Sequence, residues 1–140
     1  MVNGKLSMVK VLAIILLLLN GVGACFGGFS MMADPSGGGI KIPLEWLQHS
    51  PFDDFLIPGI VLFVMNGLSS FFVLALLLFN IRRHQLLVIF QGVILFGWIT
   101  VQVLMVRQLY WLHFACWGMA IAIMICGWIL LAGAKKRIRR

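Results

Sequence analysis

Long apolar segments alternate with short polar ones along this chain, and the pattern predicts four membrane-spanning helices. An α-helix needs about 20 apolar residues to cross the hydrocarbon layer of a bilayer. Four segments reach that length, at about 9–31, 55–80, 85–106 and 109–133, and short polar connections separate them. We therefore expect an all-α, integral membrane four-helix bundle that forms a single transmembrane domain over residues 1–140.

The one long polar interruption lies between the first two spans, at residues 34–54, and predicts a structured outer loop. Its start combines Pro35 with several glycines, which is typical of a turn. Leu44, Trp46 and Leu47 then lie on one face of a short helical segment, which predicts a stub with Trp46 at the membrane interface. The loop holds all four acidic residues of the chain, Asp34, Glu45, Asp53 and Asp54.

The composition supports a membrane protein and indicates its orientation. The chain is 62% hydrophobic and 11% charged, whereas soluble domains are about 25% charged. Its net charge of +7 does not indicate nucleic-acid binding, because no basic stripe alternates with aromatic residues. With four spans, nine of the eleven basic residues lie on the side of both termini, including the tail 135–140. The positive-inside rule predicts that this side is cytoplasmic. These nine are Lys5, Lys10, Arg82, Arg83, Lys135, Lys136, Arg137, Arg139 and Arg140.

Small residues in the first span predict close contact with another helix. Gly23 and Gly27 stand four residues apart, as do Ala24 and Gly28, and this spacing lets helices approach closely in lipid. The segment ending at Cys25 also resembles a bacterial lipoprotein signal, in which this cysteine would be lipidated after cleavage. We favour an uncleaved helix, because the apolar residues continue past Cys25.

Polar residues within the spans predict either packing contacts or a functional surface, because burying them in lipid is costly. Asn20 and Asn66 are two of these. Four residues of the third span share one helical face: Gln91, Leu95, Trp98 and Gln102. Hydrogen bonds from Gln91 to Asn20 and Asn66 are one interpretation. The other is that this face lines a cavity or pathway.

The outer ends of the last two spans predict a pocket that faces outward. His113 and Trp117 share a helical face, and Arg107 lies near the outer edge. Arg107 either forms an ion pair with an acid of the loop or binds an anion in this pocket. We expect the loop to close the pocket from above. The candidate binding residues are Trp98, Gln102, Arg107, His113, Trp117, Asp53 and Asp54.

Several short motifs carry a family resemblance. They are Pro51–Gly59 (PFDDFLIPG), then Asn66-Gly67, Gly97-Trp98-Ile99 and Val101-Gln102. In these the chain resembles a family of small, uncharacterised bacterial four-span inner-membrane proteins, and the similarity covers nearly its whole length. The resemblance implies a location in the bacterial inner membrane and brings no activity with it.

No motif indicates catalysis, a metal site or a cofactor. The three cysteines have no CxxC spacing, and the three histidines are spread over both sides of the membrane. We therefore favour a non-enzymatic protein that binds a lipid or hydrophobic ligand, or an accessory subunit. Its expected partners are membrane lipids, further copies of itself or a larger membrane complex.

Two other functions stay open. An oligomeric channel or small transporter would use Asn20, Asn66 and Gln91 as its lining, although proton-coupled export of the four-span type needs a carboxylate within a span. A membrane enzyme acting on an apolar substrate would use His113 and the loop acids as acid and base.

Overall fold

Four long helices confirm the predicted all-α fold in the computed structural model, which describes residues 2–140. They are α1 (Val2–Ala33), α2 (Leu56–Leu78), α3 (His84–Val106) and α4 (Trp111–Ile138). Each is long and apolar enough to cross a membrane. The chain is therefore a multi-pass membrane protein.

Two helices extend beyond the predicted spans at the same end of the bundle. α1 begins at Val2 rather than near residue 9, and α4 continues to Ile138 rather than 133. Hydropathy marks only the apolar layer, and polar residues can continue a helix outside it. The Arg137 guanidinium donates a hydrogen bond to Oδ1 of Asn3 at 2.8 Å, which joins the two extensions. We call this the terminal end of the bundle, and the opposite end, with residues 34–55, the loop end.

The helices form an antiparallel ring in which each contacts the next, and α4 contacts α1. Leu17, Leu77 and Ile123 are fully buried between them. Large apolar side chains such as Phe26 and Trp128 are exposed on the outside of the ring, as expected for a surface that faces lipid.

Glycines bring α1 and α2 into backbone contact. A Cβ added at Gly28 would lie 2.7 Å from the carbonyl oxygen of Gly59 and 2.7 Å from the backbone nitrogen of Phe63. One added at Gly67 would lie 2.5 Å from Sγ of Cys25. The two helices can approach this closely only because these positions lack a side chain.

The two predicted small-residue pairs of α1 have different surroundings. Ala24 and Gly28 are buried, and Gly28 contacts α2 as predicted. At Gly23, by contrast, an added Cβ would meet no atom within 4 Å. The prediction of a close helix contact is therefore confirmed for the face with Gly28 and wrong for Gly23.

Glycines also bring α3 and α4 into close contact. A Cβ at Gly92 would lie 2.8 Å from the carbonyl oxygen of Ala120, and one at Gly127 would lie 2.9 Å from the backbone nitrogen of Ile89. The bundle thus consists of two tightly packed helical hairpins.

Residues 34–55 form a compact cap on the loop end. The predicted stub is a 3₁₀ helix at Leu44–Leu47, with Leu47 buried. Leu47 packs with Met31 and Phe55 in a small core that is separate from the main one. The loop is therefore structured, as predicted.

An aromatic contact ties this cap to the connection between α3 and α4. The rings of Trp46 and Tyr110 lie with their centroids 5.3 Å apart and their planes tilted by 31°. Such a pair contributes about 0.5–1.5 kcal/mol beyond the burial of its surface.

Asp34 organises the first turn of the loop. Its carboxylate accepts hydrogen bonds from the hydroxyl of Ser36 and from the backbone N–H of Gly39, the latter at 2.8 Å. These two hydrogen bonds hold the pKa of Asp34 below its usual value.

The lowered pKa predicts how this turn responds to acid. The carboxylate stabilises the turn fully above the unfolded pKa of about 3.9, and this contribution is lost as the pH falls through the folded pKa. We expect hydrogen-exchange protection of the Gly39 N–H to stay constant from neutral pH to about pH 4 and then to fall. Asp34→Asn should remove the acid transition. Asp53→Asn, which changes an exposed carboxylate of the same loop, should keep it, and a wild-type profile without the transition would contradict the prediction.

Candidate functional site

A cleft of about 270 Å³ lies between α1, α3 and α4 in the half of the bundle nearest the loop end. Leu19 on α1 and Leu112 on α4 line it and are 59% and 56% exposed. The cleft therefore opens sideways between these two helices, toward the surrounding lipid. Most of its remaining wall is apolar, with Ala24, Leu62, Leu95, Ile99 and Met119.

The polar side chains in the wall of this apolar cleft include Asn20, Gln102 and His113. Nδ1 of His113 accepts a hydrogen bond from the backbone N–H of Tyr110 at 3.0 Å, which caps the start of α4. Because an amide N–H can only donate, Nδ1 carries no proton, and the proton of the neutral ring is on Nε2. The Nε2–H of the buried His113 is therefore the remaining donor of the ring.

The structure brings three of the predicted binding residues together. Trp98, Gln102 and His113 all line the cleft. Trp117 does not, because its indole N–H donates to Oγ1 of Thr100 at 3.2 Å across the α3–α4 contact. The shared helical face of His113 and Trp117 is wide enough for one to face the cleft while the other faces α3.

The charged candidates lie outside the cleft. Arg107 is exposed and ends α3 in a left-handed conformation with φ 55°. Oδ1 of Asp54 accepts a hydrogen bond at 2.9 Å from the N–H of Leu56, the first residue of α2. No ion pair within 4.0 Å joins Arg107 to Asp53 or Asp54 in residues 2–140, so the first of the two interpretations of Arg107, an ion pair with these acids, is wrong. The nearby free N–H of the helix satisfies Asp54 instead.

No residue of the loop lines the cleft. The expectation that residues 34–58 close it from above is therefore wrong. The loop has its own small core, which holds it over the end of the bundle rather than over the side opening.

A layer of polar side chains crosses the bundle next to the cleft. Nδ2 of Asn20 donates to Oγ of Ser70 at 2.8 Å, and the hydroxyl of Ser69 donates to Oε1 of Gln91 at 2.8 Å. Gln91 thus bonds to another helix as predicted, but its side-chain partner is Ser69 rather than Asn20 or Asn66. Sequence reasoning missed both serines, which stand next to each other and face different helices.

Asn66 differs from the other polar residues of this layer because its side chain forms no hydrogen bond. Its side chain is fully buried, and neither Oδ1 nor Nδ2 has a hydrogen-bond partner. It lies in a π-helical segment of α2, Leu62–Leu68, and such segments are frequent at functional sites. A buried amide group without a partner costs about 1–3 kcal/mol.

The layer does not provide the lining of a pore between subunits. Asn66 and Gln91 are 0% and 1% exposed and are enclosed within a single bundle, and Asn20, which is 4% exposed, lines the cleft within that same bundle. In this arrangement they cannot face a channel formed by several copies.

Sequence reasoning missed the part of the cleft that α1 and α4 share, including Leu19, Gly23, Leu112 and Cys116. The only available signal was Gly23, a small residue that could mark open space as well as a helix contact. That α1 and α4 are neighbours follows from the packing of all four helices, which no single segment encodes.

The cleft carries only a few polar side chains. It offers one imidazole, one thiol, one indole and two amides, and no carboxylate that could pair with His113. Within residues 2–140, no group of three or more His, Cys, Asp or Glu side chains is placed to hold a metal ion. A comparison with known protein families, curated proteins and solved structures finds no match to this chain.

Proposed function

We propose that this protein binds a lipid or another hydrophobic ligand in the cleft between α1, α3 and α4 and that it is not an enzyme. The observation that carries the proposal is an apolar cleft, open to lipid, with His113, Gln102 and Asn20 in its wall. Binding sites for small molecules have this character, mostly apolar with a few polar groups that fix orientation.

The membrane environment indicates which kind of ligand fits. Lipid tails are as apolar as leucine, so moving a hydrocarbon chain from the bilayer into the cleft gains little. Selective binding must come from the shape of the cleft and from hydrogen bonds to its polar groups. Such hydrogen bonds are stronger in a medium of low dielectric constant. The ligand therefore has an apolar body and an acceptor, such as a carbonyl or hydroxyl oxygen, for the Nε2–H of His113.

The charge distribution supports a location for this site. Nine of the eleven basic residues belong to segments at the terminal end, which by the positive-inside rule is cytoplasmic. The cleft would then open to the outer leaflet. The sequence resemblance favours the bacterial inner membrane, and a role as an accessory subunit that presents a bound lipid is compatible with this placement.

Filling the cleft should weaken lipid binding there. A Cβ at Gly23 meets no atom within 4 Å, and Gly23 lines the cleft, so Gly23→Leu places an isobutyl group there without disturbing the helix contacts. We expect photo-crosslinking of a phospholipid with a diazirine in its acyl chain, read at Leu112 and Cys116 by mass spectrometry, to fall by about tenfold or more.

Gly118→Leu is the matched control, because Gly118 is exposed on α4 and also has no atom within 4 Å of an added Cβ. It should crosslink like the wild type. Equal crosslinking of both variants at the cleft would contradict the proposal, and conductance through the protein in liposomes would favour the channel.

A further inference from the structure

A second pocket lies at the terminal end, about 320 Å³ in volume, between the start of α1, the end of α4 and the turn before α3. Its character is opposite to that of the cleft, because its polar lining consists of residues that can all donate hydrogen bonds. These are Asn3, Ser7, Lys10, Asn80, His84, Gln85 and Arg137. We call it the basic pocket.

The two cations of the basic pocket are not neutralised. Nζ of Lys10 donates to Oδ1 of Asn80 at 2.8 Å, and the guanidinium of Arg137 donates to Oδ1 of Asn3 at 2.8 Å. Both acceptors are neutral amides. No carboxylate lines the pocket, since all four acidic residues of the chain lie at positions 34–54, at the opposite end of the bundle.

The start of α3 adds to this positive potential. α3 begins at His84 in the wall of the pocket, and no side chain caps its first turn. The N–H groups of His84 and Leu86 already donate to backbone carbonyl oxygens, but the dipole of α3 still favours a negative charge there. The pocket thus combines two side-chain cations with the positive end of a helix.

The depth of the pocket matches that of a lipid headgroup. Lys10 directly precedes the apolar run of α1, so it lies at the border of the hydrocarbon layer. Leu6, Leu130 and Ala134 form the apolar part of the wall. A ligand whose charged group meets Lys10 and Arg137 can therefore continue into the bilayer with an apolar part.

We propose that the basic pocket binds the phosphate group of an anionic phospholipid. Basic pockets between transmembrane helices recognise such headgroups, and a volume of about 320 Å³ equals that of about ten water molecules, which is enough for a phosphate and its glycerol. The site does not depend on the cleft, and either can be lost without the other.

The test measures retained lipid by native mass spectrometry after reconstitution in phosphatidylcholine nanodiscs with or without phosphatidylglycerol. We expect the wild type to retain phosphatidylglycerol selectively. The double variant Lys10→Gln/Arg137→Gln should bind it about 30-fold more weakly, since each cation that contacts the bound phosphate contributes about fivefold. Lys10→Arg/Arg137→Lys should retain it, which separates loss of charge from a failure to fold.

Arg139→Gln/Arg140→Gln is the matched control, because it removes the same charge from exposed residues of the tail. It should bind like the wild type, and equal losses in both double variants would overturn the proposal.

A second experiment adds inorganic phosphate without anionic lipid. Protection from thermal unfolding by phosphatidylglycerol alone assigns the site to lipid. Protection by inorganic phosphate alone would overturn the lipid assignment, and protection by neither would overturn the site.

Discussion

Replacing Gly28 by alanine should push α1 away from α2 and destabilise the bundle. The added methyl group would lie 2.7 Å from both the carbonyl oxygen of Gly59 and the backbone nitrogen of Phe63. These are backbone atoms, so no side chain can rotate to make room, and the helices themselves must separate. Overpacking of this kind costs about 1–3 kcal/mol. Unfolding in detergent micelles, followed by circular dichroism as denaturant is added, measures the loss.

Gly23→Ala is the control for Gly28→Ala, because it makes the same substitution in the same helix where an added Cβ meets no atom within 4 Å. It should leave the free energy of unfolding unchanged or raise it by up to about 1 kcal/mol, since alanine favours a helix over glycine. Gly59→Ala provides a second check, because its Cβ would lie 2.9 Å from the carbonyl oxygen of Gly28. Since both glycines belong to one contact, the double variant should lose less than the sum of the single losses. Equal stability of Gly28→Ala and Gly23→Ala would show that the backbone contact is not tight.

Replacing Asn66 by leucine should stabilise the protein, by about 1–3 kcal/mol. The side chain is fully buried, and both of its polar atoms lack a partner. Leucine has the same branching at Cγ as asparagine and carries no amide group that could stay unsatisfied. The same unfolding measurement in micelles shows whether the free energy of unfolding rises. A rise is unusual for a substitution at a fully buried position.

Asn20→Leu tests the same reasoning, because here we expect the stability to fall rather than rise. Asn20 is also buried, but its Nδ2 donates to Ser70 at 2.8 Å. Its replacement removes an interhelical hydrogen bond, and such bonds contribute about 0.6 kcal/mol on average in membrane proteins. We expect Asn20→Leu to destabilise. If Asn66→Leu destabilised the bundle as well, the amide of Asn66 would have a partner in the membrane, such as a bound water, and its interpretation as an unsatisfied group would be wrong.

The position of Asn66 connects stability with the proposed function. It stands four residues after Leu62, which lines the cleft, and both belong to the π-helical segment of α2. Costly polar groups within a membrane usually mark function. We therefore expect Asn66→Leu to be more stable than the wild type. Its lipid crosslinking at the cleft can then be compared directly with that of Gly23→Leu.

The sequence by itself determined the four spans, the structured loop and the concentration of basic residues near both termini. These features depend on the composition of continuous segments. An apolar run of about 20 residues must be helical in a bilayer whatever surrounds it. The face of α3 that carries Gln91, Leu95, Trp98 and Gln102 was predictable for the same reason, since helical periodicity is local.

Only the tertiary structure decided which helices are neighbours and which polar groups meet. Gln91 bonds to Ser69 rather than to Asn20, and Trp117 bonds to Thr100 instead of lining the cleft. Asp54 accepts a hydrogen bond from the N–H of Leu56 instead of pairing with Arg107. The cleft between α1, α3 and α4 and the basic pocket also exist only in the tertiary structure. In lipid there is little hydrophobic drive between helices, so their order and spacing depend on small contacts at positions such as Gly28 and Gly92. Those contacts join residues far apart in the chain, and the periodicity of a single segment carries no information about its partner.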